Sequence, residues 1–388
     1  MTVASRLSAD GENLFQGIKR VCDAAEEAGQ TLTKLSIGQP TGSAFFEARK
    51  VTSHTVMSTS ESVHEYQDNG SPGIPGFAER FVQVHVNSDV SKTRCLPIPG
   101  IKPMLGLVLL ACGAQKGDLR VVIDPGYPTP ATWCQYLRVS HRPVIWDPHN
   151  EFRFDPDKLW EGEPLLMTNY PHNPSGQVAT REWWEHICAK AEKLNIRIFN
   201  DGAYSKLAYS RRHCTLADVA INFPNLSWAE AFSASKLGNF TGWRIGAIVG
   251  SPDFVEDIAT IKGNTDSGFY APAAAGVLHV VEKHPELIIE VRNRYKRRAE
   301  FLIDTLLDHG MQLAVHPGAG FFTLWETPTM AFGEKVHGAM NFNNMMIQKT
   351  GVVGVHFPPF IRYAVCGDVE ASSEKISAAF KEACVQYD

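Results

Sequence analysis

Paired cysteines, closely spaced histidines, an excess of basic charge and long apolar runs are all missing from this sequence. The eight cysteines, Cys22, Cys95, Cys112, Cys134, Cys188, Cys214, Cys366 and Cys384, are scattered, with no CxxC pair and no Cys/His ligand spacing. In a chain of 388 residues they read as small buried hydrophobes in a reducing compartment, not as a disulfide framework. The 14 histidines include no HxH or HExxH pair, so no metal site is expected. His172, beside Asn173, reads as support for a site and not as a metal ligand. A net charge of −5 argues against binding nucleic acid through a general basic field. The longest apolar run, "MLGLVLLACGA" from Met104, is too short for a membrane span, which takes about 20 residues. The opening "MTVASRLSADGENLFQGIKR" has no apolar core of a signal peptide. These absences set the expectation of a soluble, cytoplasmic protein with no membrane partner.

What is present is ordinary globular material, 44% hydrophobic and 20% charged. The length favours two unequal domains. "NLFQGIKRVCDAAEEAG" reads as a helix closed by Gly29, and "KLSIGQP" as a short extended segment. From about residue 90, short apolar strands alternate with helical segments: "RCLPIPG", "KPMLGLVLLACGAQKG", "RVVIDPGYP", "RPVIWDP", "PLLMTNYPHNPSG", "REWWEHICAKAEKLN", "IRIFNDGAYS", "LSWAEAFSASK" and "GWRIGAIVGSP". Such alternation predicts an α/β fold, a mostly parallel central sheet sandwiched by helices. Ligands of such sheets bind past the carboxyl ends of the strands. A long helix follows Pro285, with Ile288, Val291, Tyr295, Leu302 and Leu306 on its apolar stripe. The basic run "RNRYKRR" mostly faces away from that stripe, as a solvated surface. The remainder, including "GAGFFTLWE" and "FIRYAVCG", alternates strand and helix and predicts a smaller α+β domain. The expected division is 1–45 as a segment joining the small domain, 46–284 as the large domain and 285–388 as the small one.

Polar residues gather just past the strand ends: Tyr127, Asn173, Asp201 and Lys236, with Gly100-Ile101-Lys102 joining a strand to an apolar helix. Singly, each has a plainer reading: Asp201 as a helix cap, "NPSG" as a turn, Tyr127 as core, Gly100 as a tight bend. At the ends of one sheet they form a set. Lys236 lies in "AFSASKLGNFTGWRIGAIVG" among small residues and hydroxyls, where a solubilising lysine would have charged neighbours. A lysine amine becomes nucleophilic when burial or nearby cations lower its pKa, and it then condenses with an aldehyde. Asp201 suits a protonated ring nitrogen. Asn173 and Tyr204 suit a phenolic oxygen, and Tyr127 suits a ring face. Ser233, Ser235 and Arg244 suit a phosphate, together with the N–H groups of Gly100, Ile101 and Lys102 where a helix begins. The set describes a site for pyridoxal 5′-phosphate (PLP).

At these residues the sequence resembles the class I/II aminotransferases, PLP enzymes of fold type I, over nearly the whole chain. "NPSG" at Asn173, "DGAY" at Asp201 and "SASKLGNFTGWRIG" at Lys236 are similar to the family's motifs in order and spacing. The resemblance implies that Lys236 forms the internal aldimine and carries the proton, and that Asp201 partners the ring nitrogen. It implies that Arg362, in "PPFIRYAVCGD", holds the substrate α-carboxylate as a bidentate pair, with the Gly38 backbone close by. Tyr66, in "EYQDNGSPGIPGF", matches a tyrosine that reaches the phosphate of a neighbouring subunit, so a homodimer with shared active sites is implied. The implied activity is ping-pong transfer of an α-amino group between amino acids and 2-oxo acids. The alternative is another PLP enzyme on the same scaffold, a carbon–sulfur lyase or a synthase; a non-catalytic regulatory module is a third reading.

Some segments depart from the family pattern. "PIPGIKPM" lacks the hydroxyl residue that many members place at the phosphate. "TDSGFYAPAAAG" stands where members bring a residue from the other subunit, which makes Ser267, Phe269 and Tyr270 candidates for site lining. The phosphate segment also resembles that of LL-diaminopimelate aminotransferases. However, Ser71-Pro72-Gly73 falls where an acidic residue for the distal amine is expected, which argues against that substrate.

Overall fold

A computed structural model describes residues 14–113, 119–124, 126–145 and 150–387. Residues 1–13 of the expected N-terminal segment and residue 388 lie outside the described residues.

Seven strands build the main sheet: β1 (Arg94–Ile98), β2 (Leu119–Asp124), β3 (His141–Ile145), β4 (Leu165–Thr168), β5 (Arg197–Asp201), β6 (Trp228–Ser233) and β7 (Gly246–Gly250). Their spatial order is β1-β7-β6-β5-β4-β2-β3. The pairs β6–β5, β5–β4, β4–β2 and β2–β3 are parallel, while β7 runs antiparallel to both β1 and β6. The expected mostly parallel sheet is therefore present, with one reversed strand. The reversal follows from the connection. Between β6 and β7 the chain makes only short 3-10 turns and no crossover helix, and a parallel return needs such a crossover.

Strands β4, β6 and β7 are buried along their whole length, which explains their near-continuous apolar runs. One face is covered by helices Ile101–Ala111 and Pro252–Lys262, with Met104, Leu105, Val108, Phe254 and Ile258 packed on Phe199, Ala231 and Ile248. The other face meets helices Arg181–Leu194 and Ala271–Lys283 through Trp184, Ile187, Ala274 and Val277. Because β4, β5 and β6 are parallel neighbours, the residues that follow Thr168, Asp201 and Ser233 emerge on the same edge.

Helix Pro285–Leu307 buries Ile288, Val291, Tyr295, Leu302 and Leu306, the stripe read from the sequence. It packs with an antiparallel sheet of β8 (Leu313–Val315), β9 (Phe322–Glu326), β10 (Val355–Phe357) and β11 (Phe360–Ala364), in the order β10-β11-β9-β8. Helix Leu14–Glu27 sets Ile18, Cys22 and Ala25 against Ile347, Val353 and Val355. Thr33–Lys34 then pairs in parallel with Val352–Val353. The segment after this pairing, from Ser36 to Gln39, is thereby carried to the edge where β4, β5 and β6 end. All eight cysteines are free; Cys384 is exposed, unlike the buried hydrophobe expected for the group.

Candidate active site

The strand ends line a cavity of about 480 Å³. Lys236 reaches it because β6 stops at Ser233. The Ser233 side chain accepts the Ser235 N–H at 3.1 Å and caps the short turn Ala234–Lys236. Lys236 Nζ donates to the Gly38 carbonyl at 2.7 Å. Burial lowers the pKa of the amine to about 8; Cys366 and Asp201 oppose this shift, and Arg362 and Arg244 add to it. A larger share of the amine is thus neutral near physiological pH, as a nucleophile requires.

Asp201, the last residue of β5, is buried and lines the same cavity. Its Oδ1 accepts the Ala203 N–H at 3.1 Å. Burial raises its pKa to about 6, against the pull of that hydrogen bond and of Lys236. A carboxylate has about four acceptor positions, so this one is poised for a cationic partner. Asn169 ties the loop after β4 to the same strand end. Its Nδ2 donates to the Asp201 carbonyl at 2.8 Å, and its Oδ1 accepts the Asn173 N–H at 3.0 Å.

Arg362, on β11, is 1% exposed. It donates to Asn173 Oδ1 at 2.7 Å and to the Ser36 carbonyl at 3.1 Å, and its Cζ stands 4.1 Å from the Phe322 ring centroid. Its Nε has no partner among the described residues. Burial lowers its pKa to about 10, which still leaves it charged at neutral pH. Among the described residues, no carboxylate lies within ion-pair distance of it. A buried guanidinium held only by neutral oxygens suits an incoming carboxylate.

The opposite end is built for an anion. Helix Ile101–Ala111 begins at Gly100; its first N–H groups have no intrahelical partners, no cap side chain takes them up, and Ile101 and Lys102 line the cavity. Gly100 has φ +81°, and a Cβ there would collide with the Arg244 guanidinium. Arg244 is itself held by a 2.8 Å bond to the Thr241 carbonyl, and the Ser233 and Ser235 hydroxyls are 2.9 Å apart. Tyr127 lines the same cavity, and Tyr204 is buried with its ring centroid 6.0 Å from Lys236 Nζ.

Residues 30–378 match the family described as "Aminotransferase class I and II". The chain belongs to the class I and II aminotransferases. The aminotransferase is 26% identical over 367 residues to the LL-diaminopimelate aminotransferase of Methanocaldococcus jannaschii, covering 91% of this chain and 85% of that one. It is 24% identical to the enzyme of the same name from Natranaerobius thermophilus, over the full length of both. Its backbone superposes on the crystal structure of the aspartate aminotransferase from Rhizobium meliloti with a TM-score of 0.87 at 18% identity, covering 99% of each chain. The α/β fold read from the sequence is the fold type I aminotransferase architecture, in a family that generally depends on PLP.

The aminotransferase brings Gly38, Ile101, Lys102, Tyr127, Asn173, Asp201, Tyr204, Ser233, Ser235, Lys236, Arg244 and Arg362 to this one cavity, with Gly100 behind Arg244. Tyr66 is elsewhere, on the surface and 76% exposed. Phe269 and Tyr270 line a second hollow on another side of Arg244, while the Ser267 carbonyl accepts the Gln67 and Asp68 N–H groups at 3.1 and 3.0 Å. Ser71 is buried and brings no charge to the cavity. Phe15, Ile37, Asn169 and Phe322 also line the cavity and were not read from the sequence. Asn169 had a usable signal, since it is the first residue past β4. Phe15 and Ile37 had none, because they arrive on the N-terminal segment from far along the chain.

Proposed function

We propose that this aminotransferase holds PLP in the cavity and moves an α-amino group from an amino acid to a 2-oxo acid in two half-reactions. The cofactor supplies an aldehyde that reacts with amines and a ring that draws electrons from the substrate α-carbon. The residues fit it: an uncapped helix start, two hydroxyls and Arg244 for its phosphate, a buried carboxylate for its ring nitrogen, and Tyr127 for its ring face. Lys236 is the amine that meets the aldehyde. Its Nζ would also be placed to take the substrate α-proton and return it. Asp201 keeps a proton on the ring nitrogen by presenting a buried negative charge. Arg362 grips the α-carboxylate of donor and acceptor alike, with Asn173 bracing the guanidinium. Tyr204 and Asn173 are donors for the ring oxygen.

The observation that carries this reading is Lys236, a half-buried amine with a lowered pKa that shares one cavity with a buried carboxylate and an arginine that has no carboxylate partner among the described residues. Phe15, Ile37 and Phe322 line the cavity, and Asp201 is the only carboxylate lining it among the described residues. These features favour a donor with an uncharged side chain over one with a second ammonium group. Homodimerisation with shared sites belongs to the same proposal, supported by the exposure of Tyr66 and Tyr270. So does the division at residues 45 and 285, supported by a second apolar cluster around helix Pro285–Leu307, β9 and β11. A cytoplasmic location is supported by the free cysteines; among the described residues no helix is long and apolar enough to cross a membrane.

Lys236→Ala tests the reading. It should remove the visible absorption that PLP gives the wild-type protein and lower turnover by at least about a thousandfold. Wild-type activity in the variant refutes the role of Lys236.

A further inference from the structure

His172 is a buried histidine beside Asn173 that the reaction above leaves unused. It is 2% exposed, and burial holds its pKa down to about 3, so the ring is neutral. Its Nδ1 lies 2.7 Å from Ser175 Oγ. Ser175 Oγ also accepts the Gln177 N–H at 3.3 Å and retains a hydroxyl proton that Nδ1 can accept. In that tautomer the ring hydrogen sits on Nε2. Nε2 is buried and has no partner among the described residues, and an unmet buried donor is costly. His172 lines a small cavity of about 20 Å³, room for one water. That cavity shares Tyr127, Asn169 and Asp201 with the main one. Asp201 is therefore reached from both sides, and it has acceptor capacity left beyond the Ala203 N–H.

We propose that His172 is a positioning residue for Asp201: its Nε2–H donates, through one water held in the small cavity, to the Asp201 carboxylate, and so fixes the orientation and charge of that carboxylate. This rests on the proposed role of Asp201 toward the cofactor. The water accepts from Nε2–H and donates to the carboxylate, so the imidazole orphan and the partly satisfied anion are answered together. The other titratable groups facing Asp201 are Lys236 from the turn after β6, Tyr204 after β5 and Tyr127 after β2. Donation to the anion favours its charged form, so removing the donor raises the pH at which Asp201 takes up a proton.

The test uses the holoenzyme variants His172→Phe, His172→Gln and Asp201→Asn. The readouts are the pH profile of kcat, the donor KM and the PLP affinity from titration of the visible band between pH 5 and 8. His172→Phe should move the acid limb of both profiles up by about one pH unit. The donor KM should stay within about threefold, because Arg362 is untouched. His172→Gln, whose amide nitrogen reaches the position of Nε2, should restore the wild-type limb. If His172→Phe does not fold, His172→Asn takes its place, since its shorter amide cannot reach and should move the limb. The proposal is overturned if the acid limb stays at its wild-type position in the donor-free variant, or if His172→Gln shifts as far as that variant does. Full activity in Asp201→Asn is a separate failure, of the role given to Asp201.

Discussion

At the scale of residues, Lys236 and Asp201 are displaced by burial in opposite directions, and both displacements oppose folding of the protein without cofactor. Asp201 moves from an ordinary 3.8 to about 6, so the folded chain binds more protons than the unfolded chain between those values. Its contribution to stability therefore falls as pH rises through that window, and the full penalty applies above it. Lys236 moves from 10.5 to about 8, so its penalty is full below 8 and is relieved as pH rises toward 10.5. Asp201→Asn should thus stabilise the cofactor-free protein at pH 7 by on the order of 2 kcal/mol while lowering turnover. The gain should disappear below about pH 4, where Asp201 is protonated in either state. Denaturant unfolding at pH 4 and 7 checks this, and a variant less stable than wild type at pH 7 contradicts it. This opposition of stability and site chemistry is also why these residues were legible. A lone lysine among serines and glycines, and an aspartate ending an apolar strand, make little sense as packing. Cys366 was not legible in this way. A cysteine in an apolar stretch reads as core, and its nearness to Lys236 and Arg362 comes from β11 being folded against the end of a distant sheet.

Elements place these side chains. Strands β4, β5 and β6 were readable as apolar runs ended by polar residues, and their parallel pairing put those ends side by side. The antiparallel course of β7 was less readable. The run "GWRIGAIVG" looks like any other strand, and its direction depends on the short connection before it. The helix that starts at Gly100 carries a sharper requirement. Its backbone at φ +81° and the guanidinium against its Cα both call for glycine. Gly100→Ala should strain this corner and displace Arg244, weakening PLP binding roughly tenfold or more while leaving Arg362 and the donor KM little changed. Cofactor titration of the variant checks this, and unchanged affinity contradicts the account of the phosphate corner. Phe15 and Ile37 show the limit of reading elements one at a time. They reach the cavity because helix Leu14–Glu27 docks on Ala339–Thr350 and Thr33–Lys34 pairs with Val352–Val353. No local pattern encodes that return across the chain.

For the whole molecule, the proposed dimer places Tyr66 at the partner's phosphate site. Its exposure in the single chain accords with such a task. Lys236→Ala and Tyr66→Ala each damage a different half of a shared site. Mixing the two inactive or weakened variants under exchange conditions should then create one intact site per hybrid dimer, and recover up to about a quarter of wild-type activity for random pairing. No gain over the sum of the separate variants contradicts shared sites. The account as a whole turns on the covalent partner of the cofactor. The direct measurement is borohydride reduction of the PLP-loaded protein, followed by proteolysis and mass spectrometry. The expected result is a stable cofactor adduct on the peptide containing Lys236 and on no other lysine. An adduct at a different lysine, or none after saturation with PLP, contradicts the central claim.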